Sequence, residues 1–256
     1  MRNRIALITG AARGIGRAIA LAFAAEGARL ALSARSRQEL DELAEEAKAA
    51  GAEAVALPAD LADRSAPARL IREVERALGS VEILINNAAL VSAYKPSPVV
   101  EFDDDYWDRS LAINLTAPYL LSKGVLPGMM NSGWGRIINI ASVNSKIGVP
   151  HGVAYAATKH GLLGLTRTLA LETAKHGITV NAICPGPVRT AVSDMRIQYD
   201  AQRLGKTLEE LESSLTPLGR RVEPEEVATL AVFLATEQAR AITGQPYNID
   251  GGLVMF

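Results

Sequence analysis

Thr9-Gly10-Ala11-Ala12-Arg13-Gly14-Ile15-Gly16 joins a strand-like run, Arg4–Thr9, to a helical pattern in which Ile15, Ile19, Ala22, Phe23 and Glu26 mark one face. Glycines at such a junction permit a tight turn and close approach of a ligand to the backbone. The helix start that follows presents free N–H groups to an anion. The spacing is G-x-x-x-G-x-G, and glycines alone are weak evidence. It is the strand–turn–helix context that reads as a pyrophosphate site, with Gly10, Arg13, Gly14, Ile15 and Gly16 as candidate contacts.

Outward from this turn the same alternation continues. Strands are expected at Arg29–Ala34, Ala54–Leu57, Val81–Asn86, Arg136–Ala141, Thr179–Ile183 and Gln245–Ile249. Helices are expected at about Ser36–Ala50, Ser65–Gly79, Val153–Lys175 and Pro224–Ala235. Such alternation implies an α/β fold, a Rossmann-like doubly wound parallel sheet of about seven strands with helices on both faces. No repeat or linker divides it, so residues 1–256 are expected to form one domain. The segments 88–98, 143–152 and 190–216 are left as loops free to shape a substrate pocket. The last of these is the least regular, with a short helix expected from Thr207 to Ser214.

The end of the second strand reads Leu32-Ser33-Ala34-Arg35-Ser36-Arg37. An NAD-selective fold offers a carboxylate here to the ribose 2′-hydroxyl. Ala34 stands in that place, and Arg35, with Ser33, Arg13 and Arg37 nearby, suits a 2′-phosphate. NADP(H) is therefore expected over NAD(H).

Tyr155-Ala-Ala-Thr-Lys159 sets a phenol and an ammonium on one face of a helix. A tyrosine near its ordinary pKa of about 10 is a poor acid–base group at neutral pH, and a neighbouring cation pulls that value down. Ser142 ends the fifth strand at the carboxyl edge, where open parallel sheets bind ligands. There it can hold a carbonyl oxygen while the tyrosine gives a proton.

Taken together, the Thr9–Gly16 turn, Asp60, Asn86-Asn87-Ala88, Asn114, Ser142, Tyr155-x-x-x-Lys159, Pro185-Gly186 and Thr190 resemble the short-chain dehydrogenase/reductase (SDR) family, from Arg4 to Gly252. The resemblance implies that Tyr155 is the general acid, that Lys159 holds the nicotinamide ribose and lowers the tyrosine pKa, that Ser142 orients the substrate oxygen, and that Asn114 holds a relay water. It places Asp60 and Leu61 at the adenine, and Asn87, Ala88 and Ala89 beside the adenosine ribose. Pro185, Gly186, Val188 and Thr190 fall at the nicotinamide, presented for pro-S hydride transfer. Ala89 stands where the family usually has glycine, which is tolerated if its φ is negative.

Within the family the chain resembles 3-oxoacyl reductases, polyketide-type ketoreductases and 3-hydroxybutyrate dehydrogenases. The expected function is NADPH-dependent reduction of a ketone, a β-keto ester or thioester among the candidates, to a secondary alcohol. The alternatives are a secondary alcohol or 3-hydroxyacid dehydrogenase working oxidatively, and a non-catalytic dinucleotide sensor. Positions that offer basic residues to an acyl carrier in some relatives hold Gly133 and His176 here, which weighs against a carrier-bound substrate. Asn144, His151, Pro187, Met195 and Tyr199 are the expected substrate-pocket residues, under an apolar lid that includes Ile197 and Leu204. The resemblance also implies a homotetramer.

Composition narrows the classes. With 27 Lys and Arg against 28 Asp and Glu, there is no basic excess for nucleic acid or an anionic membrane. The apolar runs fall short of the about 20 residues that a spanning helix needs. One cysteine, Cys184, leaves no disulfide framework, and a strand beginning at Arg4 leaves no room for a leader; a cytoplasmic protein is expected. No metal site is expected: Asp103-Asp104-Asp105 reads as an acidic helix start, and His160 and His176 lack ligand spacing. Cys184 reads as a buried apolar side chain and Trp134 as a packing residue.

Overall fold

Strand β1 (Ile5–Thr9) is buried along its whole length, as expected of a strand with no polar residue until its end. In the computed structural model, which describes residues 1–256, it pairs in parallel with β2 (Arg29–Ser33) on one side. On its other side lies β4 (Ile83–Asn86). The strands β3 (Ala54–Ala56), β5 (Gly135–Ile140), β6 (Ile178–Pro185) and β7 (Pro246–Ile249) complete one sheet in the order β3-β2-β1-β4-β5-β6-β7, parallel throughout. The register sets Thr9 beside Ser33 at the carboxyl ends of β1 and β2. Between β1 and β4 the order reverses, and in open α/β sheets this switch point is where a ligand crevice opens.

Alternate strand residues face opposite layers. Ala6 and Ile8 pack against α1 (Gly14–Ala25), α2 (Arg37–Ala49) and α9 (Pro224–Ala235), through Ile19, Phe23, Leu40, Leu43 and Leu234. Ile5 and Leu7 face α3 (Ala66–Ala77), α5 (Ala117–Ser132) and α6 (Val153–Thr173), through Leu70, Val74, Leu121, Val125 and Leu169. Helix α4 (Asp104–Leu111) runs into α5 through a π-helical turn, Ala112–Thr116. Asp103 caps α4, its side chain accepting from Tyr106 N at 2.8 Å, which gives the acidic run the helix-start role read from the sequence.

The segment 190–216 departs in part from expectation. The short helix expected from Thr207 to Ser214 is present as α8 (Leu208–Ser213), but the part before it is not irregular: it forms a further helix, α7 (Ala191–Leu204). Thr190 caps α7 by accepting from Ser193 N, and Thr207 forms a capping box with Glu210. Ile197, Ala201 and Leu211 make a small core of their own, separate from the two main layers. No helix is long and apolar enough to cross a membrane.

Candidate active site

The glycine turn is tied to the segment after β4 by side chains at its base. Thr9 Oγ1 donates to Ile85 O (3.1 Å) and accepts from Asn87 N and Ala88 N (3.1 and 3.2 Å). Asn87 Nδ2 returns the contact to Thr9 O and Gly10 O, both at 3.0 Å. Gly10 has φ +61° and lies so close to Ala88 that a Cβ would come within 2.8 Å of its Cα. A Cβ on Gly16 would meet Gly10 O at 2.2 Å, so both positions need glycine. Gly16 itself is buried beneath the turn, while Gly10, Arg13, Gly14 and Ile15 face a cavity of about 850 Å³. Ala89 has negative φ, so its methyl group is compatible with the backbone there.

The cavity wall runs through Ser33, Ala34, Arg35, Ser36 and Glu39, and Asp60 and Leu61, which follow β3, also line it. Ser33 Oγ is buried and has no hydrogen-bond partner. A buried hydroxyl left unpaired is costly unless a ligand satisfies it. Arg37 is held by Asp41 at 2.8 Å, whereas Arg13 and Arg35 line the cavity without an acidic partner. Two unpaired guanidinium groups and an orphan hydroxyl suit a phosphate; Glu39 and Asp60 are carboxylates of the same cavity lining. Asp60 accepts from Ala62 N (3.0 Å), which fixes the bend after β3.

In the middle of the cavity Ser142, Tyr155 and Lys159 meet. Ser142 Oγ accepts from Asn144 N (3.1 Å), which leaves its own O–H free to donate. Burial pushes the Tyr155 hydroxyl above its usual pKa, and a hydrogen bond with Ser142 pulls it partly back. Lys159 is buried, donates from Nζ to Ile140 O (2.6 Å), and is driven down to about 8 by desolvation. Its Nζ is 5.6 Å from the Tyr155 ring centroid. The cation was expected to lower the tyrosine pKa. In the structure burial is the largest influence on Tyr155 and raises its value, with Ser142 opposing, while the Lys159 ammonium is engaged with Ile140 O.

Asn114 sits in the π-helical turn, a distortion that recurs at functional sites. Its amide donates to Leu90 O (2.8 Å) and Thr158 Oγ1 (3.1 Å), and its Oδ1 accepts from Leu90 N (2.7 Å). It therefore clamps the 88–90 segment to the helix that carries Tyr155. Both N–H groups are engaged, so only oxygen acceptors of this residue are left for a water. Asn114 is absent from the cavity wall, where its neighbour Ile113 appears.

Pro185, Gly186, Pro187, Val188 and Thr190 form the wall next to β6. Gly186 N donates to Ile249 O (2.9 Å), and a Cβ there would strike Asp250 Cα at 2.8 Å. Of the expected substrate-pocket residues, Asn144 and Pro187 line the cavity; His151, Met195 and Tyr199 stand outside its wall. Met195 is 44% exposed, because its side of α7 faces away from the cavity. His151 Nδ1 and the Tyr199 hydroxyl instead engage each other at 2.6 Å. The wall also includes Val149, Arg196, Asp200, Arg203, Leu211, Leu215 and Leu253, which the sequence reading missed. For three of them a signal was present, since Arg196, Asp200 and Arg203 are spaced i, i+4, i+7, as are Ile197, Ala201 and Leu204.

Comparison with known proteins gives a consistent picture. A family model described as enoyl-(acyl carrier protein) reductase matches residues 10–254. The chain is 38% identical over 254 residues to the 3-oxoacyl-(acyl-carrier-protein) reductase of Staphylococcus epidermidis, covering 99% of this chain and 100% of that one. It is 37% identical over 261 residues to the D-beta-hydroxybutyrate dehydrogenase of Cupriavidus necator, covering 99% of each. A crystal structure of an actinorhodin polyketide ketoreductase variant with NADPH superposes with a TM-score of 0.94 at 36% identity, over the whole of both chains.

Proposed function

Since the chain belongs to the short-chain dehydrogenase/reductase family and is an NAD(P)-binding oxidoreductase acting on CH–OH groups, we propose that it is an NADPH-dependent ketoreductase. The observation that carries this reading is the meeting of Ser142, Tyr155 and the buried Lys159 on the cavity wall.

The residues fit the dinucleotide. The glycine turn lines the cavity with Gly10 and Gly14, and Ser33 Oγ, Arg13 and Arg35 are unpaired where a 2′-phosphate would lie. Asp60, Leu61 and the 87–89 segment would hold the adenosine half, and the segment from Pro185 to Thr190 the nicotinamide half. When bound, the reduced nicotinamide supplies a hydride, of pro-S origin by the family resemblance, to the carbonyl carbon.

The chain's own groups manage the oxygen. Ser142 Oγ, anchored by Asn144 N, donates to the carbonyl oxygen and sets its position. Tyr155 donates its phenolic proton to that oxygen as negative charge builds on it; burial keeps the phenol protonated at neutral pH and so ready as an acid. Lys159 places a positive charge near the pair and has its remaining donors free for the ribose. Asn114 holds the 88–90 segment in register with the helix bearing Tyr155. Helices α7 and α8 and the turn after them place Ile197, Leu204, Leu211 and Leu215 in the wall, an apolar face suited to a hydrophobic ketone and to excluding water.

The oxidative reading, a secondary alcohol or 3-hydroxyacid dehydrogenase, is supported by the likeness to the Cupriavidus enzyme. A dinucleotide sensor does not account for Asn114, Ser142, Tyr155 and Lys159 all being present. The homotetramer and the cytoplasmic location belong to the same reading and rest on the family resemblance and the lone cysteine. The test is turnover of a panel of ketones, β-keto esters and β-keto thioesters with NADPH, with the alcohol identified, beside 3-hydroxy acids with NADP⁺. Ketone reduction with the higher kcat/KM supports the proposal. NADPH binding with no turnover of any ketone contradicts it.

A further inference from the structure

One cavity-lining side chain of α7 engages two segments distant from it in the chain. Arg196 is mostly buried, and its Nε and Nη2 engage both carboxylate oxygens of Asp200, one turn on, at 2.7 and 3.3 Å. This two-point contact fixes the plane of the guanidinium group. From that plane Nη1 donates to Ser92 Oγ (3.2 Å) and to His151 O (3.4 Å), and Nη2 donates to Pro150 O (2.7 Å). Ser92 follows β4, while Pro150 and His151 lead through Gly152, the N-cap of α6, to Tyr155.

A second contact runs alongside. The Tyr199 hydroxyl, next to Arg196 on α7, meets His151 Nδ1 at 2.6 Å. His151 has φ +58°, a left-handed conformation that a residue with a Cβ adopts only when its surroundings hold it. Arg196 and Tyr199 supply that hold, one through the His151 carbonyl and one through its ring. Ser92, Val149, Arg196 and Asp200 all line the cavity, so the joint lies on the substrate's side of the molecule.

We propose that Arg196 is a positioning residue of the reductase. It locks α7 over the cavity and fixes the loop that begins the helix of Tyr155, so that a ketone is held against Ser142 and Tyr155. The inference rests on the proposed ketoreductase reading for its kinetic consequence, but not for its structural one. A lysine cannot take over this role, because a single ammonium has no planar fork to join Asp200, Ser92 and Pro150 at once.

The test compares the full-length wild type with Arg196→Met, Arg196→Lys and Ser92→Ala. Steady-state kinetics at saturating NADPH are read together with hydrogen exchange of residues 191–204 and 148–153. For Arg196→Met the expected result is a kcat/KM for ketone at least tenfold lower, mostly through KM. NADPH affinity stays within twofold, and exchange is faster in both segments. Arg196→Lys is expected to behave like the Met variant, and Ser92→Ala to raise KM two- to fivefold. Should the Arg196 variants fail to fold, Ser92→Ala carries the test alone. An unchanged ketone KM, unchanged exchange in both segments, or full rescue by lysine would overturn the proposal. A wild type that reduces no ketone would sink the proposed function, while the exchange measurement would still decide whether Arg196 holds the two segments together.

Discussion

The two ends of the sheet are built on opposite principles. At the amino end the charges are paired. Arg4 engages Glu82, and Arg29 engages Glu53 at 2.6 Å. Arg136, buried at the start of β5, donates to Gly135 O and Gly177 O and reaches Glu237 at 3.1 Å. Its guanidinium lies 4.4 Å from the Trp134 ring centroid, with that of Arg4 at 3.9 Å from the same ring, and Trp134 Nε1 donates to Glu237. Among the buried atoms of these groups only Arg136 Nε lacks a partner. At the carboxyl end α7 pairs Arg196 with Asp200, but around the glycine turn and the catalytic helix Ser33 Oγ is buried and unpaired, Arg13 and Arg35 have no acid, and Lys159 has only a backbone carbonyl. Pairing within the chain marks a closed structural end. Polar groups held in place and left unpaired mark the end reserved for a ligand.

The comparison is open to attack, most strongly at the carboxyl end. Tyr155→Phe keeps the ring and removes the proton. Ketone reduction is expected to fall about 10²–10⁴-fold with NADPH affinity unchanged, the range typical of a lost general acid. A loss below tenfold would take Tyr155 out of its role.

The buried ammonium gives a pH test of intermediate size. Lys159 titrates near 8, so its charge disappears above that pH while Tyr155, raised by burial, keeps its proton. Reduction is expected to decline about tenfold per pH unit above 8, as a single ionisation requires. The stability effect runs the other way. In the unfolded chain Lys159 returns to its ordinary value of 10.5, so between 8 and 10.5 the unfolded state binds more protons and this residue's contribution to stability rises with pH. Denaturant unfolding of wild type and Lys159→Met across that window is expected to show the wild type gaining on the variant; parallel curves would contradict the burial of the charge.

The smallest effect belongs to the amino end. Glu237 is 62% exposed, so removing Arg136 leaves a solvated carboxylate rather than the stranded buried charge that makes breaking a fully buried pair so costly. Arg136→Met is therefore expected to shift stability by less than about 2 kcal/mol and to leave kcat/KM for ketone and NADPH within twofold. A fivefold loss of activity would break the division between the two ends.

Legibility in the sequence follows the same division between local and distant causes. The Thr9–Gly16 turn, the Tyr155/Lys159 spacing and α9, whose bounds are those expected, depend on neighbours along the chain, and their residues announce them. The unpaired state of Ser33 is invisible without the register that buries it beside Thr9. Helix α7 was hidden because Met195 and Tyr199, apolar but turned away from the cavity, blur the Ile197–Ala201–Leu204 stripe. The contact between Arg196 and Ser92 spans 104 residues, and Leu253 enters the wall from the far end of the chain, so neither that contact nor Leu253 carries a local signal.

The most direct test of the reserved carboxyl end is the affinity of the wild-type protein for NADPH against NADH, with Arg35→Ala beside it. A hydrogen bond to a charged group contributes about 1.5–3 kcal/mol, and each 1.4 kcal/mol is about tenfold. NADPH is therefore expected to bind about ten- to a hundredfold more tightly than NADH, with most of that margin lost in Arg35→Ala. Equal affinity for the two dinucleotides in the wild type would contradict the account.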